Sequence, residues 1–165
     1  NQATEFCRKH GFVEHDPLTH LRLQEYEQKR SGLHGTVGIV ALDEKRRIFA
    51  GTSTGGIGHE IPGRVSDSPT VAGTYASSKA GVSCTGIGEQ ITQQAVAAKI
   101  VTRVEDGMSL QDAVSKTLVE SNHFNYSFGL ISLDSNGRIE VGKTAKLGEV
   151  YYAYHNGEEI DTFYN

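Results

Sequence analysis

The feature that most constrains this chain is its change of character at Gly35-Thr36-Val37-Gly38. Residues 1–35 are polar and charged, with no strand pattern. Beyond them, alternating apolar segments and Gly-rich loops begin at once. Of the 19 Gly, all but Gly11 and Gly32 lie at or after position 35. They cluster at Gly51, Gly55, Gly56, Gly58 and Gly63, and again at Gly81, Gly86 and Gly88, without a period. That pattern is neither collagen-like nor a low-complexity linker. Gly-rich loops between strands let backbone N–H groups come close to a ligand. A Thr placed where a polar lead meets a buried strand becomes an N-terminal nucleophile if the Gly35–Thr36 bond is cut. Its hydroxyl attacks, and its own α-amine, with a pKa near about 8, takes the proton. The commoner meaning of such a Thr is an ordinary strand residue.

The length of 165 residues suits one domain. A content of 37% hydrophobic and 22% charged residues is globular. A net charge of −4, from 20 acidic and 16 basic residues, argues against a strongly basic nucleic-acid surface. No apolar run approaches the roughly 18 residues of a membrane span. Asn1 is not an initiator Met and no apolar leader core follows it, so the sequence is expected to begin partway through a longer protein. Two cysteines, Cys7 and Cys84, are too few for a disulfide framework, and a reducing, cytoplasmic compartment is expected. Cys84, in an apolar-leaning run, reads as a small buried residue.

Along the chain, Ala3–Gly11 reads as the end of a helix with Phe6 and Cys7 as its apolar face and Gly11 as its stop. Residues 12–35 form a polar lead, either a mobile linker or one carrying an exposed helix that Asp16-Pro17 starts and that runs to about Arg30. His10, His15, His20 and His34 match no standard ligand spacing and read as solvated. Thr36–Asp43 is apolar on both faces, which predicts a strand buried on both sides. Ile48–Thr54 returns antiparallel to it, and Val82–Cys84 is a short strand. Gln90–Glu105 is one helix with Ile91, Ala95, Ala98 and Thr102 on its inner face, widened by Val96, Ile100 and Val104. Ser109-Leu110-Gln111-Asp112 opens a second helix to about Glu120. Phe128–Asp134 and Arg138–Val141 flank the turn Ser135-Asn136-Gly137, and Val150–His155 is the last strand. The order predicts an α+β fold, helices on one face of an antiparallel sheet and a further layer needed opposite.

Four groups are candidates for chemistry. Thr36 is the first. Thr54, at the far end of the hairpin, could hydrogen-bond and orient it, or simply end a strand. Arg64 and Asp67 suit an amino-acid head group, Arg for the α-carboxylate and Asp for the α-ammonium; alone, they would be a surface ion pair. Thr85-Gly86-Ile87-Gly88, at a strand-to-helix junction, can hold an oxyanion with backbone N–H groups and the Thr85 hydroxyl. A phosphate loop is the weaker rival, since no Gly-Lys-Ser/Thr follows. His59-Glu60 lacks the second His that zinc hydrolysis needs.

Gly35-Thr36-Val37-Gly38, Thr52-Ser53-Thr54-Gly55-Gly56, Pro62-Gly63-Arg64-Val65-Ser66-Asp67-Ser68-Pro69 and Ser83-Cys84-Thr85-Gly86-Ile87-Gly88-Glu89 together resemble the plant-type asparaginases and isoaspartyl aminopeptidases. The likeness covers residues 36 to about 140, in order and in spacing. Residues 1–11 also resemble the end of that family's α-subunit, and residues 36–165 its β-subunit. The resemblance implies an N-terminal-nucleophile hydrolase of αββα fold, of which this chain supplies about half. It implies self-cleavage between Gly35 and Thr36, then hydrolysis of L-asparagine and β-aspartyl dipeptides through a covalent acyl-enzyme. Thr36 would be the nucleophile and Thr54 its hydroxyl partner. Arg64, Asp67 and the Gly88 backbone would bind substrate, and Thr85 and Gly86 would form the oxyanion hole. The partners implied are a small-molecule substrate, an upstream α-subunit-like half and a second αβ unit; nucleic acid and membrane are not implied. No cofactor is implied, with a structural cation belonging to the upstream half. Ser66 stands where many members have Gly, a change expected to be tolerated. Within the same resemblance stand a glycosylasparaginase-type hydrolase and a protein-cleaving threonine aspartase. Outside enzymes, the alternative is an unprocessed or non-catalytic relative acting as a binding or structural protein.

Overall fold

The computed structural model describes residues 2–13, 35–57 and 63–164, and the chain divides into two units at Leu33 and His34. In the first unit, helix α1 spans Gln2–Lys9, with Glu5 in its first turn and Arg8 and Lys9 in its last. Those signs complement the helix dipole. Gly11 takes a φ of +77°, and the Phe12 N–H reaches back to the Cys7 carbonyl at 3.1 Å. The helix therefore stops where expected. Its apolar residues Phe6 and Cys7 are exposed. The helix expected over residues 17–30, and His15, His20 and His34, lie outside the described residues.

The second unit begins with β1 (Thr36–Leu42) and β2 (Ile48–Thr54), an antiparallel hairpin in a register running from Thr36 opposite Thr54 to Leu42 opposite Ile48. A four-stranded antiparallel sheet follows, ordered β3 (Thr74–Ala76), β4 (Ala80–Gly86), β5 (Phe128–Asp134), β6 (Ile139–Lys143). Three helices lie between β4 and β5: α2 (Gly88–Gln94), α3 (Val96–Glu105) and α4 (Leu110–His123). A last hairpin pairs β7 (Tyr151–His155) with β8 (Ile160–Tyr164).

Alternation along β4 divides the layers, because successive side chains of a strand point to opposite faces. Ala80, Val82 and Cys84 are buried in the main core with Ile91, Val96, Ile100, Val101 and Leu110 of the helices. Gly81 and Ser83 face the β1–β2 hairpin instead. A Cβ on Gly81 would come within 2.7 Å of Ile48 and 2.9 Å of Val40. A Cβ on Gly38 would come within 2.2 Å of the Ser83 hydroxyl. The hairpin thus lies on the sheet at a distance that only glycine allows at these two points. Helices pack on one face of the sheet and the hairpin on the other, so the predicted α+β arrangement is present.

Four expectations need correction. The β1 strand is buried on one face only: Val37 and Ile39 remain 68% and 64% exposed, as does much of Phe49. Gly38, Val40 and Leu42 face the sheet, while the opposite apolar face has no covering layer among the described residues. The single helix over Gln90–Glu105 is two helices, broken at Ala95 in the left-handed region (φ 48°, ψ 46°). The start of α3 is held by loop carbonyls instead: Ala97 N–H donates to Ala72 at 2.8 Å and Ala98 N–H to Val71 at 3.0 Å. The break rotates the inner face, so that Val96, Ala97, Ile100 and Val101 are buried while Ala95 and Thr102 are exposed. The strand expected over Val82–Cys84 runs from Ala80 to Gly86. Finally, β3 and β8 are strands that the sequence reading lacked.

Other local signals are met. Ser109 caps α4, accepting the Asp112 N–H at 3.1 Å, and its hydroxyl lies 2.6 Å from the Asp112 carboxylate. In the β5–β6 turn, the Asp134 carboxylate accepts the N–H groups of Asn136 and Arg138, and Gly137 takes a φ of +83°. Cys84 is fully buried, and burial pushes its thiol far above the ordinary range, so it stays protonated and packs. Ser109→Ala should cost about 1 kcal/mol, the usual worth of such a cap, seen as a melting temperature lowered by a few degrees; an unchanged melting temperature would show the cap to be redundant.

Candidate active site

The hairpin register places Thr36 directly opposite Thr54. Their hydroxyl oxygens are 3.1 Å apart, a hydrogen bond in which either can donate. Thr54 also accepts the Gly56 N–H at 3.1 Å. The Thr54 hydroxyl is thus bonded to the hydroxyl of the residue that follows Gly35. Val40 stacks on Gly81 and Gly38 on Ser83. By the same alternation Thr36 is on the sheet-facing side of β1, and Thr85 on the hairpin-facing side of β4.

Gly86 ends β4 with a φ of +135°, and a Cβ there would fall 2.5 Å from the Phe128 Cα. Only glycine fits this corner. The next N–H, of Ile87, is bound to the Ser127 carbonyl at 2.9 Å, and Gly88 opens α2. Thr85 is half-buried on the hairpin side of β4, the face that also carries Ser83.

Asp67 is 6% exposed, which removes the surface ion-pair reading. Its carboxylate is wedged between two glycines: a Cβ on Gly73 would lie 2.5 Å from Oδ2, and one on Gly88 2.5 Å from Oδ1. Gly88 and Asp67 thus form one wall. Ser66 donates to Oδ1 at 3.2 Å, with its hydroxyl lying over Gly88. Burial raises the Asp67 carboxyl above its ordinary value, against hydrogen bonds and the nearby Arg64 charge, which lower it.

Arg64 reaches Glu89, one residue beyond Gly88: Nε and Nη2 donate to Oε1 at 2.9 and 2.6 Å. Those bonds hold the Glu89 carboxyl below its ordinary value. Arg64, Asp67, Gly88 and Glu89 therefore belong to one cluster. Glu89 was missed as a site residue, although it stands within the motif that ends Gly86-Ile87-Gly88-Glu89. Thr52, Ser83 and Thr74 were missed too: Thr52 and Ser83 share a hydrogen bond of 2.6 Å beneath the Thr36–Thr54 pair. Two-residue alternation along β2 and β4 was the available signal, since Thr52 shares a face with Thr54 and Ser83 with Thr85.

A cleft of about 570 Å³ also opens between β1, β5, β6 and β7. Its walls include Ile39, Leu42, Ile131, Leu133 and Tyr152, and none of the candidate residues. Among the described residues no group of three or more His, Cys, Asp or Glu is placed to hold a metal ion. No described helix is long and apolar enough to cross a membrane.

The family model described as asparaginase matches residues 13–164. The chain belongs to the asparaginase family. It is 43% identical to an isoaspartyl peptidase/L-asparaginase of Nostoc sp., over 96% of this chain and 56% of that protein. It is 42% identical to a protein of the same name from Synechocystis sp., over 96% of this chain and 53% of that one. To a plant-type L-asparaginase of Thermococcus kodakarensis it is 34% identical, over 87% of this chain and 55% of the relative. The chain thus spans about half the length of the curated relatives it matches.

The site makes a prediction about pH. A carboxyl whose folded-state pKa is raised favours folding while protonated, and that contribution is lost as pH rises through the folded-state value. Asp67→Asn, which cannot ionise, should therefore melt above the parent chain at neutral pH, with the gap closing as pH falls below the ordinary carboxylate range. A gap that stayed constant into acid would contradict the account of Asp67.

Proposed function

We propose that this chain carries the catalytic portion of an amidohydrolase that cleaves L-asparagine and β-aspartyl dipeptides with Thr36 as an N-terminal nucleophile. The single observation that carries this is the 3.1 Å hydrogen bond between the Thr36 and Thr54 hydroxyls at the mouth of the hairpin, with Gly35 immediately before. Membership of the asparaginase family supports the same chemistry.

In the first reaction the Thr36 oxygen attacks the Gly35 carbonyl carbon. The peptide C–N bond breaks as the C–O bond forms, the nitrogen takes a proton, and an ester results. Water then hydrolyses the ester, leaving a carboxylate on Gly35 and a free amine on Thr36. That amine is the base the second reaction needs. The Thr36 oxygen attacks the side-chain amide carbon of asparagine while the amine takes the hydroxyl proton and passes it to the leaving nitrogen. Ammonia departs, or the amino group of the next residue in a β-aspartyl dipeptide. Water cleaves the remaining ester to release aspartate.

Thr54 orients the attacking oxygen in both steps. Thr85 and Gly86 receive the developing oxyanion, a contribution of about 3 kcal/mol per donor in comparable sites. Arg64 takes the α-carboxylate and Asp67 the α-ammonium. The buried Asp67 suits this role because a cationic partner offsets the desolvation its charge incurs. The exposed apolar face of β1–β2, with Val37, Ile39 and Phe49, is in this reading covered by an upstream half, completing an αββα sandwich. Residues 36–165 then correspond to the β-subunit, joined through the segment 12–35 to the end of an α-subunit at 1–11. Two such αβ units form the enzyme, and neither reaction draws on a cofactor.

Thr36→Ala should abolish both asparagine hydrolysis and cleavage after Gly35, followed as ammonia release and intact mass. Aspartate release at the parent rate would refute the assignment. Arg64→Ala should raise KM for asparagine roughly 10- to 100-fold, the worth of a charged hydrogen bond, while self-cleavage, which has no α-carboxylate to bind, proceeds as in the parent.

A further inference from the structure

Beneath the Thr36–Thr54 pair lie three hydroxyls that the chemistry above does not use. Ser83 and Thr52 oxygens are 2.6 Å apart. Thr52 is bonded in turn to Thr74, and Thr74 lies 2.9 Å from the Ser68 carbonyl oxygen. We propose that Ser83, Thr52 and Thr74 form a hydroxyl ladder that positions Thr54, and through it Thr36, for reaction. The role assigned to Thr36 rests on the hydrolase reading; the ladder itself does not.

A hydroxyl has one proton and two lone pairs, and a carbonyl only accepts. Thr74 is the donor of the group: its proton faces the Thr52 oxygen and the Ser68 carbonyl. The Thr52–Ser83 link closes with either hydroxyl donating. Ser83 is 3% exposed, and in such surroundings a lost partner costs more than a bond made to water.

The placement gives the ladder its consequence. Thr52 lies opposite Gly38 in the hairpin register. A Cβ on Gly38 would sit 2.2 Å from the Ser83 hydroxyl, so Ser83 reaches Thr52 through the gap that glycine leaves in β1. The ladder ties β2 to β4 and β3 across β1, one pleat before Thr54. Thr52 and Thr54 share a face of β2, so fixing the first sets the height and twist of the second. None of the three residues needs to touch substrate; they are positioning residues. Misplacement by about 1 Å of a reacting group costs up to about 100-fold in rate, which is the scale on which such a tie acts.

Thr52→Val keeps the shape of the side chain and removes the hydroxyl; Thr52→Ser keeps the hydroxyl. Both are compared with the parent in the full chain by three measurements: thermal melting, kcat and KM for asparagine, and amide hydrogen exchange at Gly56. The Gly56 N–H is bound to the Thr54 oxygen and so reports the position of Thr54 without any reaction. Thr52→Val should speed Gly56 exchange and lower kcat by on the order of tenfold or more, with KM unchanged, and Thr52→Ser should restore both. Should Thr52→Val fail to fold, Ser83→Ala removes the β4 end of the ladder and is expected to act in the same direction. Parent-like Gly56 exchange and kcat in a folded Thr52→Val would overturn the proposal, as would a Thr52→Ser variant as impaired as the Val one. A parent with neither self-cleavage nor hydrolysis would sink the hydrolase reading, and Gly56 exchange alone would then decide on the ladder.

Discussion

Everything at this site depends on how closely the β1–β2 hairpin lies on β4. At Gly38 over Ser83, and at Gly81 under Val40 and Ile48, there is no room for a Cβ on either glycine. The approach fixes which face of the hairpin points inward. Because side chains alternate, it also fixes that Thr36 and Thr54 come out on the same side as Thr52. A slip of one residue in the register would turn all three away from the sheet. The constraint is steric first, and hydroxyl bonding then makes it specific.

The binding cluster is built on a different principle. Asp67 is buried between Gly73 and Gly88, a place where an ionised carboxylate is disfavoured without a positive partner. Arg64 is held by Glu89 on the first turn of α2, so the guanidinium is already oriented. The two carboxyls are thus set apart in environment: Asp67 raised by burial, Glu89 lowered by an arginine. In the proposed function, a zwitterionic amino-acid head group would match that separation of charge, and the buried carboxyl would lower the stability of the free chain in exchange for recognition.

Much of this was legible in the residues. Alternation gave β1, β2 and β5; Ser109 and Gly137 gave a helix start and a turn through local hydrogen bonds that need no tertiary context. The Gly-rich motifs pointed to close approaches, and Gly38, Gly86 and Gly88 each lie where a Cβ would collide with a neighbour. What was not legible depended on contacts distant in sequence. Ala95 breaks a periodic helix because carbonyls of Val71 and Ala72 take the N–H groups of Ala97 and Ala98. The three residues of β3 carry too little pattern to read alone; Thr74 is a strand residue because Ser83 pairs with it. Glu89 and Ser83 acquire their partners Arg64 and Thr52 from 25 and 31 residues away, which no local pattern shows. The apolar run of β1 overstated its burial, since composition reports a face that wants covering, not what covers it.

The central claim is that Thr36 becomes a free N-terminal residue and then carries the substrate's acyl group. Its most direct test is an acid-quenched reaction with asparagine, followed by peptide mass mapping of the full chain. The account predicts a peptide that begins at Thr36 and is heavier by one aspartyl group, with the ester on the Thr36 oxygen. An active protein whose Gly35–Thr36 bond is intact, or whose aspartyl group sits on any other residue, would contradict it.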